Sequence, residues 1–198
     1  MSAERSQERK DYIGTIAGGI FYEKGFKASS LKDIALKGGI SKAGIYHYYK
    51  TKEEILLYIL LKNTEDGVKA LRQVLRQSKA LRLGPRKSFE GLIRAYAAHL
   101  LKSRKISLLV LRERHQLAGE YRNILREQEK SVFRLIRDQL ANIPNTNKHL
   151  NLNLVSFQIM SMIHWMGYWF DARGLLSQAA AIDQTIMVIF NGMLEKNI

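Results

Sequence analysis

The chain contains no cysteine, which removes disulfides, thiol nucleophiles and cysteine-built zinc sites and suits a reducing compartment. Proline is nearly as scarce, at 2 residues in 198, so little in the sequence interrupts helices. Runs that alternate apolar and polar residues are few, which argues against a sheet. Acidic residues are in the minority, with 18 Asp and Glu against 32 Lys and Arg for a formal charge of +14. Such an excess implies a polyanionic partner: nucleic acid, an acidic membrane surface or a phosphate-bearing ligand. Long apolar runs are also missing. The most apolar stretch, residues 154–170, is interrupted by Gln158 and His164 and falls short of the ~20 residues a membrane span needs. The first residues, Met1 to Arg5, are polar and form no signal-peptide core. A cytoplasmic protein without a membrane partner is expected. There is no Glu-x-x-His, His-Glu-x-x-His or Gly-x-Ser-x-Gly pattern. The reading as a helical-bundle enzyme is therefore disfavoured, and no catalytic, metal or cofactor residues are assigned.

What is present points to helices. Hydrophobic residues make up 46% of the chain, enough for a real core. From about Asp11, Ile13, Ile16, Ala17, Ile20 and Phe21 form the stripe of an amphipathic helix that Gly25 ends. Before it, Arg5, Arg9 and Lys10 are read as a loose arm or a solvated terminus. Gly18-Gly19 is unfavourable by roughly 1 kcal/mol per glycine relative to alanine, and close packing against the next helix is the expected compensation.

The segment from Ser30 to Lys52 reads as a helix-turn-helix. Ser30 can cap a short helix with Leu31, Ile34 and Ala35 on one face and Asp33 at its positive end. Gly38-Gly39 breaks that helix, Ile40 re-enters the apolar layer, and Ser41 can cap a second short helix anchored by Ile45. Lys42, Ala43, Gly44, Tyr46 and His47 are left facing outward, a set that a DNA groove accepts. Lys42 can meet a base edge or a phosphate, Tyr46 and His47 can donate to phosphate oxygens, and Gly44 allows close approach. Tyr49, by contrast, reads as packing.

Thr51-Lys52-Glu53-Glu54 has the form of a capping box that opens a long helix through Ile55, Leu56, Ile59, Leu60, Leu71, Val74 and Leu75. After Leu83-Gly84-Pro85, helices are expected from near Pro85 through Leu101, over 106–117, 120–143 and 150–172, and through Ile182, Ile186, Ile189, Phe190 and Met193. Residues 144–147 form a turn. The 150–172 segment is apolar nearly all round and is expected to be central, and the last two helices are expected to meet a second subunit. Between residues 62 and 105 the acids are Glu65, Asp66 and Glu90 among many Lys and Arg. That excess is either a solvated basic surface or a mouth that attracts an anionic ligand.

These residues resemble the TetR family of bacterial transcriptional regulators. The resemblance is carried by Phe21-Tyr22-Glu23-Lys24-Gly25-Phe26, Ser29-Ser30, Asp33-Ile34-Ala35, the run from Gly39 to Tyr49, and Lys52-Glu53-Glu54-Ile55-Leu56. It departs at Tyr49, where phenylalanine is more usual, and at Gly18-Gly19, where alanines are. The resemblance implies an all-α fold in which residues 1–52 form a three-helix, helix-turn-helix DNA-binding domain and residues 53–198 a helical ligand-binding and dimerisation domain. It implies a homodimer joined through its last two helices, acting as a repressor that a small molecule releases from double-stranded operator DNA. The implied DNA contacts are Ser30, Ser41, Lys42, Ala43, Gly44, Tyr46, His47 and Lys52, the last as a phosphate-contacting lysine. The C-terminal half is similar to a branch that senses acyl-coenzyme A thioesters, through Arg112 to Leu117, Tyr121-Arg122 and Met162 to Ser177, with departures at His164 and Phe170. The candidate effector residues are Arg112, His115, Met162, Trp165 and Trp169. The effector so implied is a small hydrophobic molecule or an acyl-coenzyme A, and the alternative is a multidrug-type effector sensor with the same DNA-binding mode.

Overall fold

Ala, Glu, Arg, Gln and Lys fill residues 3–10, all strong helix formers except Ser6. In the computed structural model of the chain they belong to α1 (Ala3–Lys24). The structure describes residues 3–144, 146–171 and 173–193. Among these, α1 is followed by α2 (Leu31–Gly38), α3 (Lys42–Tyr46), α4 (Lys52–Ala80), α5 (Pro85–Lys102), α6 (Arg104–Glu113), a 3-10 turn at Arg114–Gln116, α7 (Gly119–Ala141), α8 (Leu152–Trp169) and α9 (Gln178–Met193). The fold is all-α. No helix among the described residues is long and apolar enough to cross a membrane. Asn145 of the expected turn, Ala172 of the expected 150–172 helix and the side chain of Met193 lie outside the described residues.

The segment with Arg5, Arg9 and Lys10, read as a loose arm or a solvated terminus, is helical with Arg5 and Arg9 exposed, and α1 is tied to α4 and to Tyr49 just before it. Asp11 accepts hydrogen bonds from the Tyr58 hydroxyl and from Lys62, and the hydroxyl of Tyr49 donates to the Lys10 carbonyl at 3.1 Å. Burial alone pushes the Asp11 carboxyl up, but the bonds from Lys62 and Tyr58 outweigh it and hold the group below its ordinary value.

The chain packs as two compact units, one from Met1–Thr64 with Lys105–Gln128 and one from Glu65–Arg104 with Glu129–Ile198. In the first unit α6, the residue after the 3-10 turn and the start of α7 supply Leu109, Leu117 and Leu125 to the core built on Ile13, Phe21, Ile34, Ile45, Leu56 and Leu60. The second core gathers Leu71, Phe89, Leu92, Tyr96, Ile136, Leu140, Ile159, Ile163, Ile186 and Phe190. Gly18 is explained by packing within the first unit: a Cβ there would lie 2.8 Å from Ile106 Cδ1 and 3.8 Å from Ile59 Cδ1. The neighbours are thus α6 and α4, and not the next helix as expected. Gly19 meets only Lys37 Nζ at 4.0 Å, so nothing in the packing requires it.

The expectation that the 150–172 helix is central needs correction within one chain. Val155, Ile159, Ile163 and Met166 of α8 are buried, while Leu154, Phe157, Trp165, Tyr168 and Trp169 on the other side are each more than half exposed. An apolar stripe of that size left open calls for another surface to cover it.

Candidate nucleic-acid interface

The helix-turn-helix is set by local caps. Ser30 Oγ accepts the Asp33 N–H at 3.2 Å while the Asp33 carboxylate accepts the Ser30 N–H at 2.8 Å, a complete capping box at the start of α2. Lys24 bonds the same carboxylate at 2.9 Å. With Ser30 it holds the Asp33 carboxyl far below the carboxylate range. Gly39 closes α2 with φ 58°, a left-handed conformation that glycine takes without a Cβ clash. Ser41 Oγ then accepts the Gly44 N–H at 3.0 Å and caps α3.

Two buried residues fix the rotation of α3. Ile45 is fully buried and Tyr49 nearly so, so the helix turns Lys42, Ala43, Tyr46 and His47 to solvent, and Ser30 and Ser41 are exposed at the two caps. The His47 ring stands edge-on to Tyr48 with centroids 4.8 Å apart. Gly44 has a reason inside the fold, since a Cβ there would stand 3.0 Å from Ile40 Cγ2 and 3.2 Å from Ser41 Oγ. Its missing side chain serves the packing of its own turn, a cause the groove-approach reading lacks.

Lys52, expected as a phosphate contact, has partners within its own chain. Its Nζ donates to the carbonyls of Phe26 at 2.6 Å and Ser29 at 2.7 Å and stands 4.4 Å from the centre of the Phe26 ring. Burial lowers its pKa, against the opposing charges of Asp33 and Glu113. On the other side of the same loop Glu113, only 8% exposed, accepts the Phe26 N–H at 3.3 Å. A cation from α4 and a carboxylate from α6 therefore hold the α1–α2 loop between them. At the mouth of α4, Thr51 Oγ1 accepts the Glu54 N–H at 3.1 Å, but the Glu54 carboxylate reaches back to Lys50 N–H at 2.7 Å, one residue beyond a regular box.

Sequence reasoning missed two neighbours of α3. Lys32 and Leu36 line, with Ala35, Gly39, Ile40 and Lys42, a shallow hollow beside the recognition helix, and Leu36 is 83% exposed. Their i, i+4 spacing carries that signal, but the core stripe of Leu31, Ile34 and Ala35 masks it.

The five effector candidates are not gathered in one unit. Arg112 and His115 belong to the first, Met162, Trp165 and Trp169 to the second, and all are exposed. Because α6 ends at Glu113, Arg112 and His115 share no helix face. The Arg112 guanidinium lies 5.9 Å from the Tyr22 ring centre, and Trp165 stacks on Tyr168 with centroids 5.0 Å apart. The polar point inside the second core is elsewhere. The hydroxyl of Tyr96 stands 3.3 and 3.4 Å from the two ring nitrogens of His164. His164 Nδ1 donates to the Met160 carbonyl at 2.9 Å, so Nε2 is the nitrogen left to accept the hydroxyl. Burial lowers the His164 pKa, partly opposed by the bond to Met160, and raises that of Tyr96.

Two family descriptions match this chain: "Bacterial regulatory proteins, tetR family" over residues 17–59 and "Tetracyclin repressor-like, C-terminal domain" over residues 83–193. The chain belongs to the TetR family. This TetR-family transcriptional regulator is 22% identical over 190 residues to the HTH-type transcriptional activator FasR of Mycolicibacterium smegmatis, covering 94% of this chain and 83% of that protein. It is 21% identical over 191 residues to the HTH-type transcriptional repressor KstR2 of Rhodococcus jostii, covering 93% of this chain and 91% of that one. Its fold matches PfmR, a TetR family regulator from Thermus thermophilus, with a TM-score of 0.80 at 24% identity over 90% of this chain and 97% of that chain. The match to AibR, solved with isovaleryl coenzyme A and operator DNA, has a TM-score of 0.81 at 19% identity over 92% of this chain and 98% of that chain. FasR, KstR2 and PfmR are transcriptional regulators, and none of the four supports the enzyme reading.

Proposed function

We propose that this TetR-family regulator is a cytoplasmic, homodimeric repressor that holds a pseudo-palindromic operator through α3 and releases it when a small hydrophobic or acyl-coenzyme A effector binds. The observation that carries the DNA reading is the exposed face of α3, with Lys42, Ala43, Tyr46 and His47 turned outward by the burial of Ile45 and Tyr49. In this reading Lys42 meets a base edge or phosphate, Tyr46 and His47 hold phosphates, and the hydroxyls of Ser30 and Ser41 add contacts at the helix starts. Gly44 shapes the turn and lets the helix approach the groove, and Lys52 organises the α1–α2 loop and is proposed to reach a phosphate when DNA is bound. Two recognition helices enter successive major grooves about 34 Å apart. Residues 1–52 carry this DNA function and residues 53–198 the effector and dimer functions. The open apolar stripes of α8 and α9, with Phe157, Trp165, Trp169, Met187 and Val188, support pairing of two subunits there.

For the effector, the complex of AibR with isovaleryl coenzyme A supports the acyl-thioester class over the multidrug type. Arg112 and His115, both exposed, suit its anionic groups. The exposure of Met162, Trp165 and Trp169 favours a subunit contact for them. The effector shifts the equilibrium only by its difference in affinity for two arrangements, and α4, which starts at Lys52 beside α3, is the lever. A competition gel shift of the chain's own upstream promoter against random DNA tests the first step, and absence of preference ends the operator reading. Titrating acyl-coenzyme A of increasing chain length into the complex tests the second. An intact complex that dissolves instead with hydrophobic cations selects the multidrug type.

A further inference from the structure

Between Gly67 and Phe89 the sequence has no acidic residue. Arg72, Arg76 and Lys79 recur at i, i+4 and i+7 on the exposed side of α4, opposite buried Leu71 and Ser78. Helix α4 then ends in a tight corner, with the Arg82 N–H donating to the Lys79 carbonyl at 3.1 Å and the Leu83 N–H to the Ser78 carbonyl at 2.9 Å. This is the helix-ending arrangement whose left-handed residue is usually glycine. Here that residue is Arg82, at φ 51°, the one non-glycine with positive φ among the described residues. For a residue with a Cβ this conformation is uncommon and costs backbone energy. On either side of it Leu81 is 70% and Leu83 40% exposed. Lys87 follows, exposed, in the first turn of α5, while Arg86 is engaged by Glu90 at 3.5 Å and lies over the Phe190 ring at 4.5 Å.

We propose, against the expectation of no membrane partner drawn from the sequence, that this α4–α5 corner docks the regulator peripherally on an anionic phospholipid surface. Arg72, Arg76, Lys79, Arg82 and Lys87 meet lipid phosphates, and Leu81 and Leu83 enter the boundary between headgroups and acyl chains. Duplex DNA would neutralise the same cations but offers two exposed leucines far less apolar surface than acyl chains do, so a lipid surface is the better match. The corner lies outside the α2–α3 machinery, and the inference does not depend on which effector the protein senses.

Co-sedimentation of the full-length protein with vesicles of phosphatidylglycerol and phosphatidylcholine, against vesicles of phosphatidylcholine alone, tests it. At low salt the wild type is expected to partition about tenfold more strongly into the anionic vesicles. Leu81→Ser with Leu83→Ser should reduce that partition about fivefold. Arg82→Gly should also reduce it while raising the thermal midpoint, which separates loss of docking from loss of fold. Operator gel shifts should be unchanged in all these variants. Equal partition into both vesicle types overturns the proposal, as does wild-type partition by the leucine variant. If the corner variants weaken binding to random DNA but leave vesicle binding intact, the surface is a nucleic-acid contact instead.

Discussion

Lys52 and Glu113 grip Phe26 from opposite ends of its backbone, one through the carbonyl and one through the N–H. Removing the ammonium takes its bond from the Ser29 carbonyl and leaves the Phe26 carbonyl to the Ser29 hydroxyl and N–H alone. Lys52→Met is therefore expected to destabilise the fold by about 1–3 kcal/mol, read by denaturant unfolding. Operator affinity should fall with it, and the slope of log affinity against log salt should be smaller by about one. An unchanged slope would remove Lys52 from the phosphate contacts and leave it the loop alone. His164 makes a different test. Burial holds its folded pKa below the ordinary 6.5, so on acidification the unfolded chain takes the proton first. Its contribution is complete above pH 6.5 and is lost as the pH falls from there toward the folded value. The thermal midpoint should drop between pH 7.5 and 5.5, and His164→Gln should flatten that drop. None of these three roles is legible along the chain, because each depends on a partner distant in sequence.

At the level of helices, the glycine pair in α1 separates local preference from packing. Both glycines are unfavourable in a helix interior, and the sequence alone treats them alike. Only Gly18 has a neighbour, Ile106, inside the space a side chain would take. Gly19→Ala is therefore expected to stabilise the protein by about 0.5–1 kcal/mol, and Gly18→Val to destabilise it by about 1–3 kcal/mol through overpacking. Both are measured as shifts of the urea midpoint at constant slope. The same limit appears in α8. Its composition announces an apolar helix, but the choice of Val155, Ile159, Ile163 and Met166 as the buried side follows from what α5 and α9 present to it. The exposed tryptophans four residues apart are legible as a shared face and not as a covered one.

For the molecule as a whole, the exposed stripe and the charge make separate predictions. Trp165→Glu places a carboxylate in the proposed subunit contact and should weaken dimerisation by about 100-fold, visible as monomer by native mass spectrometry. Operator affinity should fall in step, since a monomer reaches one half-site. Operator binding should also lose about 10³-fold or more between 50 and 200 mM salt if six or more phosphates are neutralised.

The helix-turn-helix could be read from the chain because every signal for it acts within four residues: the Ser30 and Asp33 box, the left-handed Gly39, the Ser41 cap, the Thr51 start. Caps, breaks and apolar periodicity are short-range physics, and they suffice to place α2, α3 and the outward face between them. The extension of α1 to Ala3, the loop held by Lys52 and Glu113, the hollow beside Leu36 and the buried Tyr96–His164 pair required the folded chain. Their energies come from desolvation and contact between residues far apart in sequence, and linear spacing carries no measure of either.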